Sequence, residues 1–198
     1  MSGRAGGRND NDEAAGDQDL RSIRGMLVEE LDIMGRVVED LTTLARADDA
    51  AFLKVQSLPL DRFINCVAAK AGTILPGRVL VQSAVPGEML RADPQRLAQA
   101  LVNLLQNAAR HARGQEPVRL RVQAEPANWR FEVADEGGGL PPGDERAVFE
   151  PFSTGGSRAS GTGLGLWIVR GIARAHGGEC GVVNRPGRGA TFWIRIPR

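Results

Sequence analysis

The chain has 198 residues, of which 42% are hydrophobic, and its formal net charge is +1. This length can bury one ordinary core and leaves room for an additional helical segment. The near-zero charge argues against a large surface of one sign, and therefore against a nucleic acid as partner. No stretch reaches the about 18 consecutive apolar residues that indicate a membrane span, and no signal sequence opens the chain, so we expect a soluble protein.

Two cysteines, Cys66 and Cys180, lie far apart and belong to no metal-binding pattern. The simplest interpretation is a pair of buried free thiols in a reducing compartment. We therefore expect a cytoplasmic location.

The first 18 residues contain no large apolar side chain after Met1 and are rich in glycine, aspartate and asparagine. Such a segment cannot offset the entropy that is lost on ordering. Residues 1–18 are therefore predicted to be a disordered tail or the remnant of a loop.

After this tail the pattern changes, because apolar residues recur at steps of three and four. They are Leu20, Ile23, Leu27, Leu31, Met34, Val38, Leu41 and Ala45. This spacing predicts a long coiled-coil helix over residues 20–46 with one apolar stripe. The helix cannot bury that stripe alone, so we expect it to pair with a second copy of the chain or with a separate helix. A linker without this period ends near Ser57, so that 19–57 is one predicted region and 58–198 the next.

Helical and strand patterns alternate over residues 58–198, so this region is predicted to be an α+β domain, a two-layer α/β sandwich. A proline after Asp93 marks the start of the longest helix, which should run to about Ala112. The predicted helices are 61–71, 94–112 and 164–176, and the predicted strands are 78–82, 118–124, 129–133, 180–184 and 190–196.

Four polar residues lie along one side of the helix that follows Asp93. Asn103 and Asn107 are four residues apart, and Arg110 and His111 follow one turn later. Such a row can supply an oxygen ligand for Mg²⁺, a positive charge for phosphate oxygens and a flat ring for a base. By itself, the row is more often a solvated helix face.

Counting by twos from Phe131 and Val133 places Asp135 on the core-facing side of its strand. A buried carboxylate needs a hydrogen-bond donor, and an adenine amino group could supply it. Three glycines follow at 137–139, where missing side chains would let a flat ligand approach the backbone. An Asx turn at the strand end is the alternative interpretation.

A second glycine-rich turn, GTGLGL, stands directly before the last helix. Its free backbone amides could hold a polyphosphate, although the spacing is neither the Walker nor the Rossmann pattern. The preceding FSTGGSRAS resembles a lid, with Arg158 as a candidate phosphate contact. A solvent-exposed arginine is the alternative.

In this order, NLLQNAARH, DEGGGLP, FEPF and GTGLGLWIVRGIARAHGG resemble the N box, first glycine box, F box and second glycine box of histidine kinases. The resemblance covers about residues 58–198 and implies the ATP-binding fold of the GHKL superfamily. RGMLVEELDIMGRVVEDLTTLARAD resembles the second helix of the dimerisation hairpin of that family.

The resemblance also implies a role for each residue of the N box. Asn107 would coordinate Mg²⁺ with support from Asn103, Arg110 would contact the phosphates, and His111 would lie against adenine. Asn107 and Arg110 would then be the catalytic residues.

In the glycine boxes, the resemblance implies that Asp135 holds the adenine amino group and that Gly137 and Gly139 shape its pocket. Phe149 and Phe152 would pack the base of the lid. The other residues assigned to the nucleotide are Arg158, Gly161, Thr162, Gly163, Leu164 and Gly165.

The family also has an acceptor histidine on a first hairpin helix, but nothing of that kind stands before Leu20. The only histidines are His111, inside the N box, and His176, at the end of the last helix, and we expect neither to be the acceptor. The chain is then a fragment or acts on a histidine supplied by another protein, and the charged tail favours a fragment.

The expected function is therefore the Mg-ATP-binding catalytic part of a two-component sensor histidine kinase, with a response regulator as partner. We expect a homodimer formed through residues 20–46, or pairing of that helix with a histidine-bearing helix. Longer relatives are often tethered to a membrane, as the resemblance implies.

Three alternatives stay open. One is a nucleotide-binding module that docks without transferring phosphate, and a second is an anti-sigma-type serine kinase. The third is a hydrolysing ATPase of the same fold, which would usually carry a glutamate where Asn103 stands, because an amide cannot act as a base.

Overall fold

The computed structural model describes residues 23, 24, 31, 35, 53–83, 85–153 and 162–198. The chain divides into two units, Met1–Leu41 and Thr42–Arg198. In the first unit, the four described residues have helical backbone conformation. The rest of the predicted helix over 20–46, like the predicted tail over 1–18, lies outside the described residues.

The second unit has helices packed on a mixed sheet, which confirms the predicted sandwich. Its elements are β1 (Gln56–Pro59), α1 (Leu60–Ile74), β2 (Val79–Ser83), β3 (Met89–Ala92), α2 (Pro94–His111), β4 (Val118–Ala124), β5 (Asn128–Ala134), a 3-10 turn (Ala147–Phe149), α3 (Gly165–Ala175), β6 (Glu179–Asn184) and β7 (Ala190–Pro197). The sheet order is β2-β4-β5-β7-β6. Only the β2–β4 pair is parallel among these described strands.

Strict alternation in β4 and β5 buries one face of the sheet. Leu120 lies opposite Val133, and Val122 lies opposite Phe131. All four side chains are at most 2% exposed. The alternation predicted from the sequence is therefore confirmed, and these residues form the sheet side of the core.

The longest helix, α2, begins as predicted at Asp93. The Asp93 carboxylate accepts hydrogen bonds from the backbone N–H groups of Gln95 at 2.9 Å and Arg96 at 3.0 Å, and Pro94 occupies the first turn. This cap satisfies donors that the helix itself leaves unpaired. A row of leucines then anchors α2 against β4 and β5, so the opposite, polar row is held in a fixed direction.

The structure contains a two-stranded antiparallel sheet that no sequence pattern predicts. β1 pairs with β3, with Gln56 opposite Ala92 and Pro59 opposite Met89. Residues of the predicted linker therefore form a strand. Each strand has only four residues, too few for a clear period, and their pairing depends on main-chain groups that are distant in sequence.

Two further details correct the sequence analysis. Helix α1 extends over Leu60–Ile74 rather than 61–71. At its start Leu60 is buried, and at its end the Leu75 N–H still donates to the Ala71 carbonyl oxygen. The prediction that both thiols are buried is wrong for Cys66, which is exposed on α1, whereas Cys180 is half-buried. In the described part of the chain, no helix is both long and apolar enough to cross a membrane.

Candidate functional site

A cavity of about 150 Å³ lies between the end of α2, the glycine loop that follows β5 and the start of α3. We call it the site cavity. It is lined by Asn107, Arg110, His111, Asp135, Gly139, Leu140, Pro141, Val148, Ser153, Gly163, Leu166, Ala190 and Phe192. Six of the residues predicted from the sequence thus lie around one space, although they come from three separate segments.

The polar row of α2 supplies three of these lining residues. Asn107 is half-buried, while Arg110 and His111 are exposed. Asn103 does not line the cavity, because its Nδ2 donates a hydrogen bond of 3.4 Å to the Gly165 carbonyl oxygen. It therefore joins α2 to the start of α3, as a supporting residue would.

Asp135 is 6% exposed, as the strand alternation predicts. Its Oδ1 accepts hydrogen bonds from the backbone N–H of Gly137 at 2.8 Å and of Ala190 at 3.3 Å. The bond to Gly137 is an Asx turn, so the alternative interpretation is also correct for this oxygen. No donor from the described part of the chain is assigned to Oδ2.

Burial raises the pKa of the Asp135 carboxyl, while the N–H groups of Gly137 and Ala190, and next the charge of His111, oppose this effect. The raised pKa means that the ionised form of Asp135 is under-solvated where it lies. An external donor that reaches this carboxylate would relieve that penalty.

Two glycines of the first glycine loop, Gly137 and Gly139, are required by the chain's own backbone. A Cβ on Gly137 would collide with the carbonyl oxygen of His111. Gly139 has a φ of 74°, and a Cβ there would lie 2.9 Å from the Arg185 carbonyl oxygen. The sequence predicts ligand approach at these glycines; in the structure, Gly137 and Gly139 let three backbone segments meet.

The second glycine turn is described from Thr162 onward, and Arg158 and Gly161 lie outside the described residues. Gly163 has a φ of 69° and lines the cavity. Leu164 is 1% exposed, so its side chain belongs to the core. Its backbone N–H donates to Thr162 Oγ1 at 3.3 Å, and none of Thr162, Leu164 and Gly165 lines the cavity.

The two phenylalanines of the F box differ in environment. Phe149 is buried and packs edge-on against Phe192, with ring centroids 6.2 Å apart. Phe152 is 69% exposed and has a φ of 62°, in the left-handed region. The expectation that both pack the lid base is therefore wrong for Phe152.

Several lining residues were not predicted from the sequence. Leu140 and Pro141 are the last two residues of the first glycine box, where no role was predicted for them, and Ala190 and Phe192 belong to β7. Their side chains are apolar, which suits the wall of a pocket for a flat ligand. For Ala190 and Phe192, only spatial proximity distinguishes them from ordinary core residues, so the sequence held no signal for these two.

Comparison with known proteins identifies the family. Residues 92–198 match the model of the family described as histidine kinase-, DNA gyrase B- and HSP90-like ATPase. This match covers more than half of the chain. The chain therefore belongs to this family, and the predicted ATP-binding domain of histidine kinase type is confirmed.

Similar proteins include sensor kinases. Sensor protein KdpD of Escherichia coli (strain K12) is 32% identical over 82% of this chain and 19% of that protein. Sensor histidine kinase ZraS of Klebsiella oxytoca is 34% identical over 91% of this chain and 39% of that protein. The crystal structure of full-length ShkA in complex with AMPPNP is 30% identical, with a TM-score of 0.75, over 89% of this chain and 38% of that one. The chain thus spans less than half the length of each of these proteins.

Proposed function

We propose that this chain binds Mg-ATP in the site cavity and is the catalytic part of a two-component sensor histidine kinase, transferring the γ-phosphoryl group to a histidine supplied from elsewhere. The observation that carries this proposal is the Asp135 carboxylate. It is 6% exposed and lines the same cavity as Asn107 and Arg110. An adenine amino group would supply the donor that Oδ2 lacks among the described residues.

The α2 row fits the other end of a nucleotide. Mg²⁺ is usually held by one or two protein oxygens together with phosphates and waters, and the half-buried Asn107 amide can supply one such oxygen. When bound, Mg²⁺ would neutralise charge on the phosphates. No hydrogen bond or ion pair with the rest of the described chain is assigned to the Arg110 guanidinium, which leaves it available for phosphate oxygens.

The proposed transfer needs little covalent chemistry from the protein. A nitrogen of the acceptor imidazole forms a bond to the γ-phosphorus, the bond to the β–γ bridging oxygen breaks, and ADP leaves with that electron pair. Arg110 would stabilise the charge on the phosphate oxygens, and Asn107 and Asp135 would fix the nucleotide. Asn103 cannot take a proton from water, which supports transfer rather than hydrolysis.

The contacts of His176 support an acceptor histidine other than the two in this sequence. Its Nδ1 lies 2.8 Å from the Ile172 carbonyl oxygen, and its Nε2 accepts a hydrogen bond of 3.0 Å from the Asp93 N–H. Both nitrogens are thus occupied inside the fold. His111 lines the site cavity itself, where a nucleotide base would lie.

We further propose that residues 20–46 form the pairing helix of a homodimer, or pair with a histidine-bearing helix, and that a response regulator receives the phosphoryl group. Two described residues of the predicted stripe, Ile23 and Leu31, are 49% and 66% exposed in the single chain. An exposed stripe of this kind favours a partner.

The first test is calorimetric titration of ADP and of a non-hydrolysable ATP analogue, with and without Mg²⁺. We expect saturable binding that Asp135→Ala and Asn107→Ala each weaken at least about tenfold, as loss of a charge-assisted contact implies. Asn128→Ala, at the far end of β5, is the matched control. Wild-type affinity in both site variants would refute the assignment of the site.

The second test supplies a peptide hairpin that carries a histidine and measures phosphoryl transfer from ATP. An acid-labile phosphorylated histidine supports the proposal. Nucleotide binding without transfer favours the docking module instead, and an acid-stable phosphoserine on a supplied protein favours the serine kinase.

A further inference from the structure

Asn184, the last residue of β6, uses its whole side-chain amide to hold a loop 44 residues away in sequence. Its Oδ1 accepts a hydrogen bond of 2.8 Å from the backbone N–H of Leu140, and its Nδ2 donates one of 3.0 Å to the carbonyl oxygen of the same residue. The side-chain amide of Asn184 thus binds both the backbone N–H and the backbone carbonyl of Leu140. No motif of the sequence analysis contains Asn184.

A third hydrogen bond extends this contact. Asn184 Nδ2 donates to Glu145 Oε1 at 3.2 Å, and the other oxygen of Glu145 accepts from the backbone N–H of Gly143 at 3.1 Å. Hydrogen bonds from its own backbone N–H and then from Asn184 lower the pKa of Glu145. Glu145 is therefore ionised at neutral pH and acts only as an acceptor.

The segment that Asn184 holds is a wall of the site cavity. Leu140 and Pro141 line the cavity, whereas Asn184 and Glu145 do not. The same loop has one other described main-chain bond to the β6–β7 connection, from Gly187 N–H to the Gly138 carbonyl oxygen at 2.7 Å. Asn184 therefore fixes the loop at its cavity-lining end.

We propose that Asn184 is a positioning residue for the nucleotide: it holds the Leu140–Pro141 wall in the geometry that the base end of the ligand requires. This inference rests on the proposed function, because it concerns the same cavity. Asn184 acts through Leu140 and touches no ligand itself. The required chemistry is that of an amide, which alone among side chains of this size offers one acceptor and two donors.

Asn184→Asp is the most discriminating variant, because it keeps the shape and removes the donors. The introduced carboxylate would still accept from the Leu140 N–H, but it would face the Leu140 carbonyl oxygen and the Glu145 carboxylate. Two acceptors brought together repel each other, so the loop should move away. In a double variant that also carries Glu145→Gln, the glutamine amide can donate a hydrogen bond to the introduced carboxylate, which removes one of the two repulsive contacts.

The experiment measures the Kd for ADP and the melting temperature of the full chain, with all titrations well below the lowest melting temperature. We expect Asn184→Asp to weaken ADP roughly tenfold, and the Asn184→Asp, Glu145→Gln double variant to regain at least about threefold. Asn128→Asp is the matched control, and its affinity should stay within about twofold of wild type.

A purely structural role predicts a different result. In that case Asn184→Asp lowers the melting temperature, but the folded protein binds ADP with wild-type affinity, and adding Glu145→Gln does not change that affinity. This result overturns the inference and leaves the proposed function intact. If the wild-type chain binds no ADP, both fail together. If Asn184→Asp does not fold, Asn184→Ser decides by the same criterion, and wild-type affinity in it overturns the inference.

Discussion

One oxygen of Asp135, Oδ1, accepts two backbone hydrogen bonds that hold the fold together. The same carboxylate lines the site cavity. Strand alternation alone predicted its burial, because the parity of β5 continues for one residue beyond the strand. The hydrogen bond from Ala190 N–H to Asp135 Oδ1 was not predictable, because it joins residues 55 apart in sequence. The same is true of Asn184, whose partner Leu140 is 44 residues away.

Asp135→Asn should stabilise the protein while it weakens nucleotide binding. Burial raises the pKa of Asp135 above its ordinary value of 3.8, so the native state binds the proton more tightly than the unfolded state does. The ionised carboxylate therefore lowers the free energy of unfolding at pH 7. This penalty declines as the pH falls through the raised native pKa and is absent below the ordinary value. An asparagine keeps the acceptor for Gly137 and Ala190 without the charge.

Urea unfolding at pH 7 and ADP titration check this prediction together. We expect a higher free energy of unfolding for Asp135→Asn and a Kd for ADP at least about tenfold weaker. Unchanged ADP affinity would show that the carboxylate contacts no nucleotide, and a lower stability would show that the charge is well solvated in the native state.

Gly137 and Gly138 give a matched pair at the residue scale. Gly137→Ala places a Cβ against the His111 carbonyl oxygen, whereas a Cβ at Gly138 meets nothing within 4 Å. We expect Gly137→Ala to lower the free energy of unfolding by about 1–3 kcal/mol, as overpacking does, and to weaken ADP binding. Gly138→Ala should change both quantities little. Thermal melts and ADP titrations of the two variants test this, and equal effects would contradict the steric argument.

At the scale of elements, the regular spacing of buried side chains determined which helices and strands could be predicted from the sequence. β4, β5 and α2 carry their buried residues at regular spacing, so their positions followed from the sequence. β1 and β3 have four residues each and pair mainly through main-chain groups, so no period could indicate them. The contacts of the β6–β7 connection with the glycine loop could not be predicted either, because they depend on tertiary packing.

His176 joins two elements, because it connects the end of α3 to the N-cap of α2. Burial lowers its pKa below the ordinary value of 6.5, although the Ile172 carbonyl and then the charge of Asp93 act in the opposite direction. A proton on Nε2 would face the Asp93 N–H that now donates to it. Neutral His176 is therefore the form that fits the fold.

The pH dependence of stability follows from this lowered pKa. For a base whose native pKa is depressed, the unfolded state binds the proton first, so the contribution is complete above pH 6.5 and is lost as the pH falls below it. We expect the free energy of unfolding to fall between pH 7.5 and 5.5, as measured with urea. His176→Gln should reduce this slope and lower the stability at pH 7.5. An unchanged slope in the variant would place the titrating group elsewhere.

At the scale of the whole molecule, the order of four motifs predicted the fold of residues 58–198, of which residues 92–198 match the family model. The sandwich brings motifs from distant segments of this range to one cavity. The proposed nucleotide binding depends on the site cavity of the second unit, whereas the proposed pairing depends on the apolar stripe of the first. Variants that affect one property should therefore leave the other unchanged.

Leu31→Glu tests this separation. Leu31 belongs to the predicted stripe and is 66% exposed in the single chain, so a charge there should oppose burial in a paired helix. We expect the wild-type chain of 21.2 kDa to self-associate in analytical ultracentrifugation, and Leu31→Glu to shift it towards monomer. Arg24→Glu, at a described position outside the stripe, is the matched control. The Kd for ADP should stay the same in all three proteins, because the described cavity contains no residue of the first unit. A monomeric wild-type chain would contradict homodimer formation and favour a separate histidine-bearing helix as the partner of the stripe. A Kd for ADP that changes in Leu31→Glu would contradict the expected independence of nucleotide binding and pairing.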